Sequence, residues 1–326
     1  IFLKNRDKTK SVQKQYEASL LDERAAYISV ASAVGTVYFN IVNADKSIEL
    51  QEEINAQRQE IYDLMLLSNR EGLVSSMDTI QANQALIKGQ TDLAELKKQR
   101  EKMLNQLAVL IGESPENIDS LKRISLDELA ITNKIPAGIS SDIIENRPDY
   151  LKAAKLLEKA GIDIRVAKKE FLPTINLSGL AFFNSMGGMS NLLTTRNMLW
   201  SLGAGTMLPL FTGGQRIANL RLKKAQYERL LQSYLKTNLS AIQEVNDAMV
   251  SAKLDWDKLQ QTLKQQALEE KDYNFNEMKY DEGVISKLDL IQFRENLLTI
   301  NQLAAKQKIE YLVDYIGLYK ACGAQI

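Results

Sequence analysis

Two aspartates carry the sharpest chemical signal in this 326-residue sequence. Asp78 and Asp289 hold the same place in two related phrases, REGLVSSMDTIQ from Arg70 and DEGVISKLDLIQ from Asp281. Glu71, Gly72, Ser75, Asp78, Ile80 and Gln81 return as Glu282, Gly283, Ser286, Asp289, Ile291 and Gln292, each 211 residues later. A carboxylate can move protons, hold a metal or build a negative field that gathers cations. The first two uses find no support around it. Histidine is absent, which removes histidine-based triads and most transition-metal sites. The single cysteine, Cys322, cannot close an intrachain disulfide or build a thiolate cluster. No phosphate-cradling loop is present, so the expectation is a protein that is not an enzyme and needs neither cofactor nor metal. Charge is balanced at 41 basic and 41 acidic residues, which gives no overall footprint for nucleic acid.

The elements around the two aspartates explain their placement. Lys4 to Arg70 is rich in Ala, Leu, Glu, Gln and Lys and predicts one helix. At about 1.5 Å per residue it would be roughly 100 Å long. Gly72 ends it, being tolerant of the left-handed conformation. Ser75 or Ser76 can cap the next helix, which puts Asp78 in the first turn, where the helix dipole favours an anion. That helix runs to about Ile111 and stops at Gly112 and Pro115. The second copy repeats the grammar: a helix from Gln215 to Asp281, Gly283, a cap at Ser286, then a helix to about Ala321. QYE at Gln15 to Glu17 returns at Gln226 to Glu228, and Gly112 returns as Gly323. An ungapped register of this length marks an internal duplication.

Tyr27 to Ala44 is free of charge over 18 residues, near the length of a membrane helix. Its serines, Thr36, Asn40 and Asn43 favour packing on neighbouring helices instead. Residues 112–146, with Pro115, Pro136 and Gly138, read as an irregular linker with short helical turns. NRPDY opens a helix near Arg147 that runs to about Glu170, with Pro148 in its first turn. Pro173 to Asn184 alternates with period two, as does Met198 to Phe211, and a glycine-rich loop spans Ser185 to Asn197. Two uncharged strands of this length fit either a transmembrane barrel or a buried hairpin of a soluble domain. The expected segments are therefore 1–111, 112–146, 147–170, 171–212 and 213–326.

The hairpin precedes only the second copy, and IFLKNR at Ile1 to Arg6 echoes LFTGGQR at Leu210 to Arg216. A complete duplication would place a further helix and hairpin of roughly a hundred residues before the first copy.

RPDY, FLPTINLSG at Phe171 to Gly179 and LPLFTGGQR at Leu208 to Arg216 resemble motifs of the TolC-like outer membrane factors of tripartite efflux pumps. GLV before Asp78 and GVI before Asp289 look like that family's two periplasmic turns. The arginine-proline-aspartate helix is similar to the lipoprotein branch serving proton-driven exporters. Leu3 stands where the family often has glycine, and YKACGAQI replaces its commoner glycine-rich ending.

The resemblance implies a mainly α protein with a β-hairpin, internally duplicated. Long antiparallel helices would form an α-helical barrel and the strands part of a transmembrane β-barrel. It also implies a homotrimer in the outer membrane, in contact with its lipid, with a long periplasmic helical domain. A periplasmic adaptor protein would be its direct partner and an inner-membrane transporter an indirect one. Adaptor docking would fall on Glu71, Gly72, Leu73 and Val74 and on Glu282, Gly283, Val284 and Ile285. Asp78, Tyr280 and Asp289 would form a periplasmic gate, with the Tyr280 hydroxyl bonded to the Asp78 carboxylate. Lone turn glycines and helix-start charges are the simpler functions of the same residues. A pore-free adaptor-type or structural coiled coil is the alternative reading, but it leaves the hairpin unexplained. Without partner strands, the hairpin is expected to be poorly paired, distorted or apposed to neighbouring molecules in a crystal.

Overall fold

A computed structural model describes residues 3–120, 122–129, 131–132, 135, 141–183, 198–208 and 210–325. Six α-helices and one antiparallel ribbon make up the described chain. In order they are α1 (Lys4–Arg70), α2 (Ser76–Ile111), α3 (Ser141–Glu145), α4 (Pro148–Lys169), β1 (Thr174–Phe183), β2 (Met198–Met207), α5 (Gln215–Asp281) and α6 (Lys287–Ala321). Two 3-10 turns, Pro115–Ser120 and Leu126–Glu128, lie between α2 and α3. The duplication is visible in lengths alone: α1 and α5 are 67 residues each, α2 and α6 are 36 and 35.

The backbone repeats as well. Gly72 and Gly283 have φ of 73° and 74°, and Gly112 and Gly323 have 78° and 66°. Leu3 takes φ of 53° at the position equivalent to Gly214, whose φ is 81°. The turn geometry therefore persists where the glycine does not, at the cost of placing a branched side chain in a sparsely populated region.

Two compact units emerge from the packing, one of residues 1–24 with 145–240 and one of 25–144 with 241–326. They cut across the five linear segments, because α1 and α5 each contribute residues to both. In the second unit the charge-free stretch of α1 supplies Val37, Ile41 and Val42 to the core. Ile41 packs with Leu104, Leu107 and Ile118, and Val42 with Leu126, Ala305 and Ile309. By composition this stretch could cross a bilayer; here Ile41 and Val42 are core, while Tyr27 and Val30 at its start are exposed. The linker is tied to the helices, through Ile118, Leu126 and a bond of 3.2 Å from the Tyr311 hydroxyl to the Thr132 carbonyl. Pro136 and Gly138 lie outside the described residues.

In the first unit β1 and β2 pair without interruption from Thr174↔Met207 to Phe183↔Met198. The expectation of poor pairing is thus overturned, since strand pairing satisfies the inner ladder without help. β2 stops at Met207 rather than Phe211; its own continuation contains Pro209 and the residue before Thr174 on the opposite strand is Pro173, neither with an N–H to donate. Residues 185–197, read as a glycine-rich loop, lie outside the described residues. Apart from Thr174, every strand residue is exposed, Leu177 to 86% and Leu202 to 79%. Neither face nor outer edge of this ribbon is covered among the described residues, and a two-stranded ribbon alone is marginal in water.

Candidate functional site: the two glycine turns

Both turns are built from the same hydrogen bonds. The amides of Gly72 and Leu73 donate to Asn69 and Ser68 carbonyls at 3.0 and 2.9 Å; those of Gly283 and Val284 donate to Tyr280 and Lys279 at 2.9 and 2.8 Å. This pattern closes a helix with one left-handed residue. Ser75 and Ser286 then start the next helices in extended conformation. Ser75 N and Oγ donate to Asp78 Oδ2 at 3.0 and 2.8 Å, and Asp78 N donates back to Ser75 Oγ at 3.3 Å. Ser286 and Asp289 repeat this at 3.1, 2.7 and 3.2 Å. Each aspartate is therefore half of a reciprocal cap.

That geometry decides how the candidate residues stand. The Ser286 hydroxyl and amide hold the Asp289 carboxyl below its ordinary range, so it stays ionised. Glu71, Glu282, Asp78 and Asp289 are exposed. Leu73 and Val284 project into solvent, 78% and 67% exposed, whereas Val74 and Ile285 are half-buried. Only one apolar knob per turn is thus fully presented. A methyl group added at Gly72 or Gly283 would meet no atom within 4 Å, so their backbone angle alone requires glycine.

The expected bond from Tyr280 to Asp78 does not form in this chain. Asp78 Oδ2 faces Ser75, and Oδ1 receives no bond from Tyr280. Tyr280 occupies the place of Asn69 in the first copy. Asn69 donates from its side-chain amide to the Val74 carbonyl at 2.9 Å and closes its own turn, a bond that Tyr280 does not repeat in the second copy.

Sequence reasoning missed a seam between α1 and α6. Arg58 Nε and Nη2 donate to Glu295 Oε1 at 2.9 and 2.6 Å, and Nη1 donates to the Ala85 carbonyl of α2 at 3.2 Å. Glu53 pairs with Arg294 at 3.4 Å, and Glu60 with Lys287. Gly89 leaves room for this clamp, since a Cβ there would lie 3.0 Å from Arg58 Nη1. Above it, Leu50, Ile54 and Leu298 form an apolar layer. One trace existed in the sequence: Glu53 and Glu60 are seven residues apart, as are Lys287 and Arg294, in the opposite sense expected of antiparallel helices. Comparing the copies could not reveal it, because Arg58, Glu295 and Lys287 correspond to Glu269, Gln84 and Ser76.

Residues 1–113 and 139–324 match the family model described as "Outer membrane efflux protein". The chain belongs to that family. It is 28% identical over 324 residues to the probable efflux pump outer membrane protein TtgC of Pseudomonas putida, covering 99% of this chain and 66% of TtgC. Against the cation efflux system protein CusC of Escherichia coli K12 it is 25% identical, over 95% of this chain and 67% of CusC. Among solved structures, the CmeC outer membrane channel of Campylobacter jejuni superposes with a TM-score of 0.86 at 27% identity, covering 99% of this chain and 68% of CmeC. Membership of this family accounts for the long duplicated helices and the hairpin together. The chain spans just under two thirds of the length of TtgC.

Proposed function

We propose that this chain is a subunit of a trimeric outer-membrane exit duct of a tripartite efflux pump, carrying small molecules without chemical change. The observation that carries the reading is the pairing, in one family member, of an uncharged, uncovered ribbon with two identically capped glycine turns. A ribbon with open edges cannot sit in lipid, so strands from other segments or copies must close it. The similarity to TtgC, named as a probable efflux pump outer membrane protein, and to CusC, named as a cation efflux system protein, supports a passive conduit whose cargo is set elsewhere in the pump. It also supports an adaptor and an inner-membrane transporter as partners.

In this reading Glu71, Gly72, Leu73 and Val74, with Glu282, Gly283, Val284 and Ile285, are the docking face for the adaptor. Leu73 and Val284 supply its two exposed apolar contacts. Asp78 and Asp289 from three copies place six carboxylates at the periplasmic mouth, where a negative ring holds cations and repels anions. Each spends Oδ2 on its cap, while Oδ1 has no partner among the described residues. Tyr280 stands beside this ring as a candidate gate residue, acting without a bond to Asp78 from its own chain. The test is planar-bilayer recording on the full-length protein. Asp78→Asn with Asp289→Asn should lower the cation-to-anion permeability ratio while conductance persists. An unchanged ratio would remove both aspartates from the mouth.

A further inference from the structure

The overall charge balance hides a segregation. Residues 3–14 of α1, 163–170 of α4 and 215–229 of α5 hold thirteen lysines and arginines against four acids, a local net of +9 that leaves −9 for the rest of the balanced chain. These three stretches belong to one compact unit and are joined directly. Lys4 pairs with Glu170 at 3.2 Å and Lys169 with Asp7 at 2.7 Å. Arg216 donates to the Glu170 carbonyl, and Asn219 donates to Glu170 Oε2 at 2.9 Å. Those contacts consume Asp7 and Glu170. Arg6, Lys8, Arg165, Lys168, Arg221 and Lys224 stay exposed, with no hydrogen bond or ion pair among the described residues.

Their height relative to the ribbon is the informative feature. Lys168 is six residues before β1, and Lys224 is nine residues into α5, which follows β2 closely. At about 1.5 Å per helical residue the unpaired cations of α4 and α5 fall within roughly 15 Å of the helix ends that adjoin the strands, and the Lys4–Glu170 pair brings the start of α1, with Arg6 and Lys8, to the same level. The strands themselves carry no charge, and Phe171 and Phe211, both exposed, flank their near ends. Uncharged strands, then aromatics, then crowded unpaired cations is the order of chemistries met on leaving a bilayer. Like charges crowded in excess of their acids repel one another, and an external anion relieves that repulsion.

We propose that this basic collar binds the phosphate headgroups of anionic phospholipid in the leaflet next to the helices. The three arginines suit bidentate contact with phosphate and the lysines act as point charges. The proposal rests on the ribbon being membrane-embedded, as in the reading above.

The full-length protein is reconstituted into vesicles of phosphatidylethanolamine alone and of phosphatidylethanolamine with phosphatidylglycerol. Lipid retained through mild detergent extraction is counted by mass spectrometry. Wild type should enrich phosphatidylglycerol on the order of fivefold, the equivalent of one basic residue at a charged surface, and the enrichment should fall at high salt. A variant with Arg6→Gln, Lys8→Gln, Lys168→Gln, Arg221→Gln and Lys224→Gln should bring the ratio near unity. Arg221→Gln with Lys224→Gln alone should be intermediate, which separates charge loss from misfolding. Wild-type enrichment surviving in the fivefold variant, or absent in wild type, overturns the collar. Failure of wild type to insert into either vesicle would instead overturn the membrane reading of the ribbon, and the collar with it.

Discussion

Removing Arg58 should loosen the seam that ties the first helical pair to the second. Arg58→Met keeps most of the stem but loses two bonds to Glu295 and one to the Ala85 carbonyl. Glu295, whose side chain is only 17% exposed, is then left without its cation. Breaking one side of a buried pair costs about 3–5 kcal/mol, and a single charge-assisted hydrogen bond is worth about 1.5–3 kcal/mol. Arg58 retains 22% exposure, so water recovers part of the loss and about 2 kcal/mol remains. The fitting assay is local amide exchange along α1 and α6, which reads the opening of the seam itself. A loss of about 2 kcal/mol accelerates exchange roughly 30-fold around Ile54 and Leu298. The outer rungs provide a control. Glu53–Arg294 is about 40% exposed on both sides, so Arg294→Met should matter little and only at low salt. Exchange in Arg58→Met within threefold of wild type would refute the clamp.

Three further outcomes are expected. Gly72→Val or Gly283→Val forces a β-branched residue to φ of 73° or 74°, a local strain of about 1–3 kcal/mol, so cross-linking to the adaptor should fall while trimers persist; undiminished cross-linking in both would exclude docking there. Leu177→Arg should disfavour membrane assembly by about 2–4 kcal/mol if its face meets lipid at midplane, and Ser178→Arg, on the opposite face, should cost far less; equal assembly yields would defeat the barrel reading. The Asp314 carboxyl is pushed up to about 6, by burial first and then by its hydrogen bond to Asp255, so folding stability should decline as pH rises from about 4 to about 6 and level off above that. Allowing for solvent, the decline is about 1 kcal/mol; in Asp314→Asn thermal melts it should vanish, and a decline identical to wild type would show that this pair does not share a proton.

The helices were legible because their signals are local. A 67-residue helix needs good formers throughout and a stop, and both copies supply a glycine followed by a capping serine and an aspartate three residues later. The ribbon was legible from period two, and the end of β2 was overextended past Pro209, a breaker within its own run, towards which Pro173 on the opposite strand also offers no N–H. Contacts between helices left almost no local trace. Arg58 and Glu295 are 237 residues apart and differ from their counterparts in the other copy, so neither periodicity nor repetition points to them.

The two turns show where repetition misleads. Identical phrases suggested equivalent aspartates, and the family resemblance implied a bond from Tyr280 to one of them. The serine three residues back takes Oδ2 in both copies, and Tyr280, on another helix, makes no bond to Asp78. The copies then differ at a position outside the shared phrase. Asn69 locks the first turn through the Val74 carbonyl; Tyr280, its counterpart, makes no such bond. The second turn therefore has one fewer internal tie and the ion pair from Lys287 to Glu60 in its place. Movement of the mouth should begin at the Gly283 turn, with the Gly72 turn acting as its fixed neighbour. Amide exchange resolved to single residues would show Val284 and Ile285 opening faster than Leu73 and Val74. Equal rates at the two turns would mean that Asn69 contributes nothing to the difference.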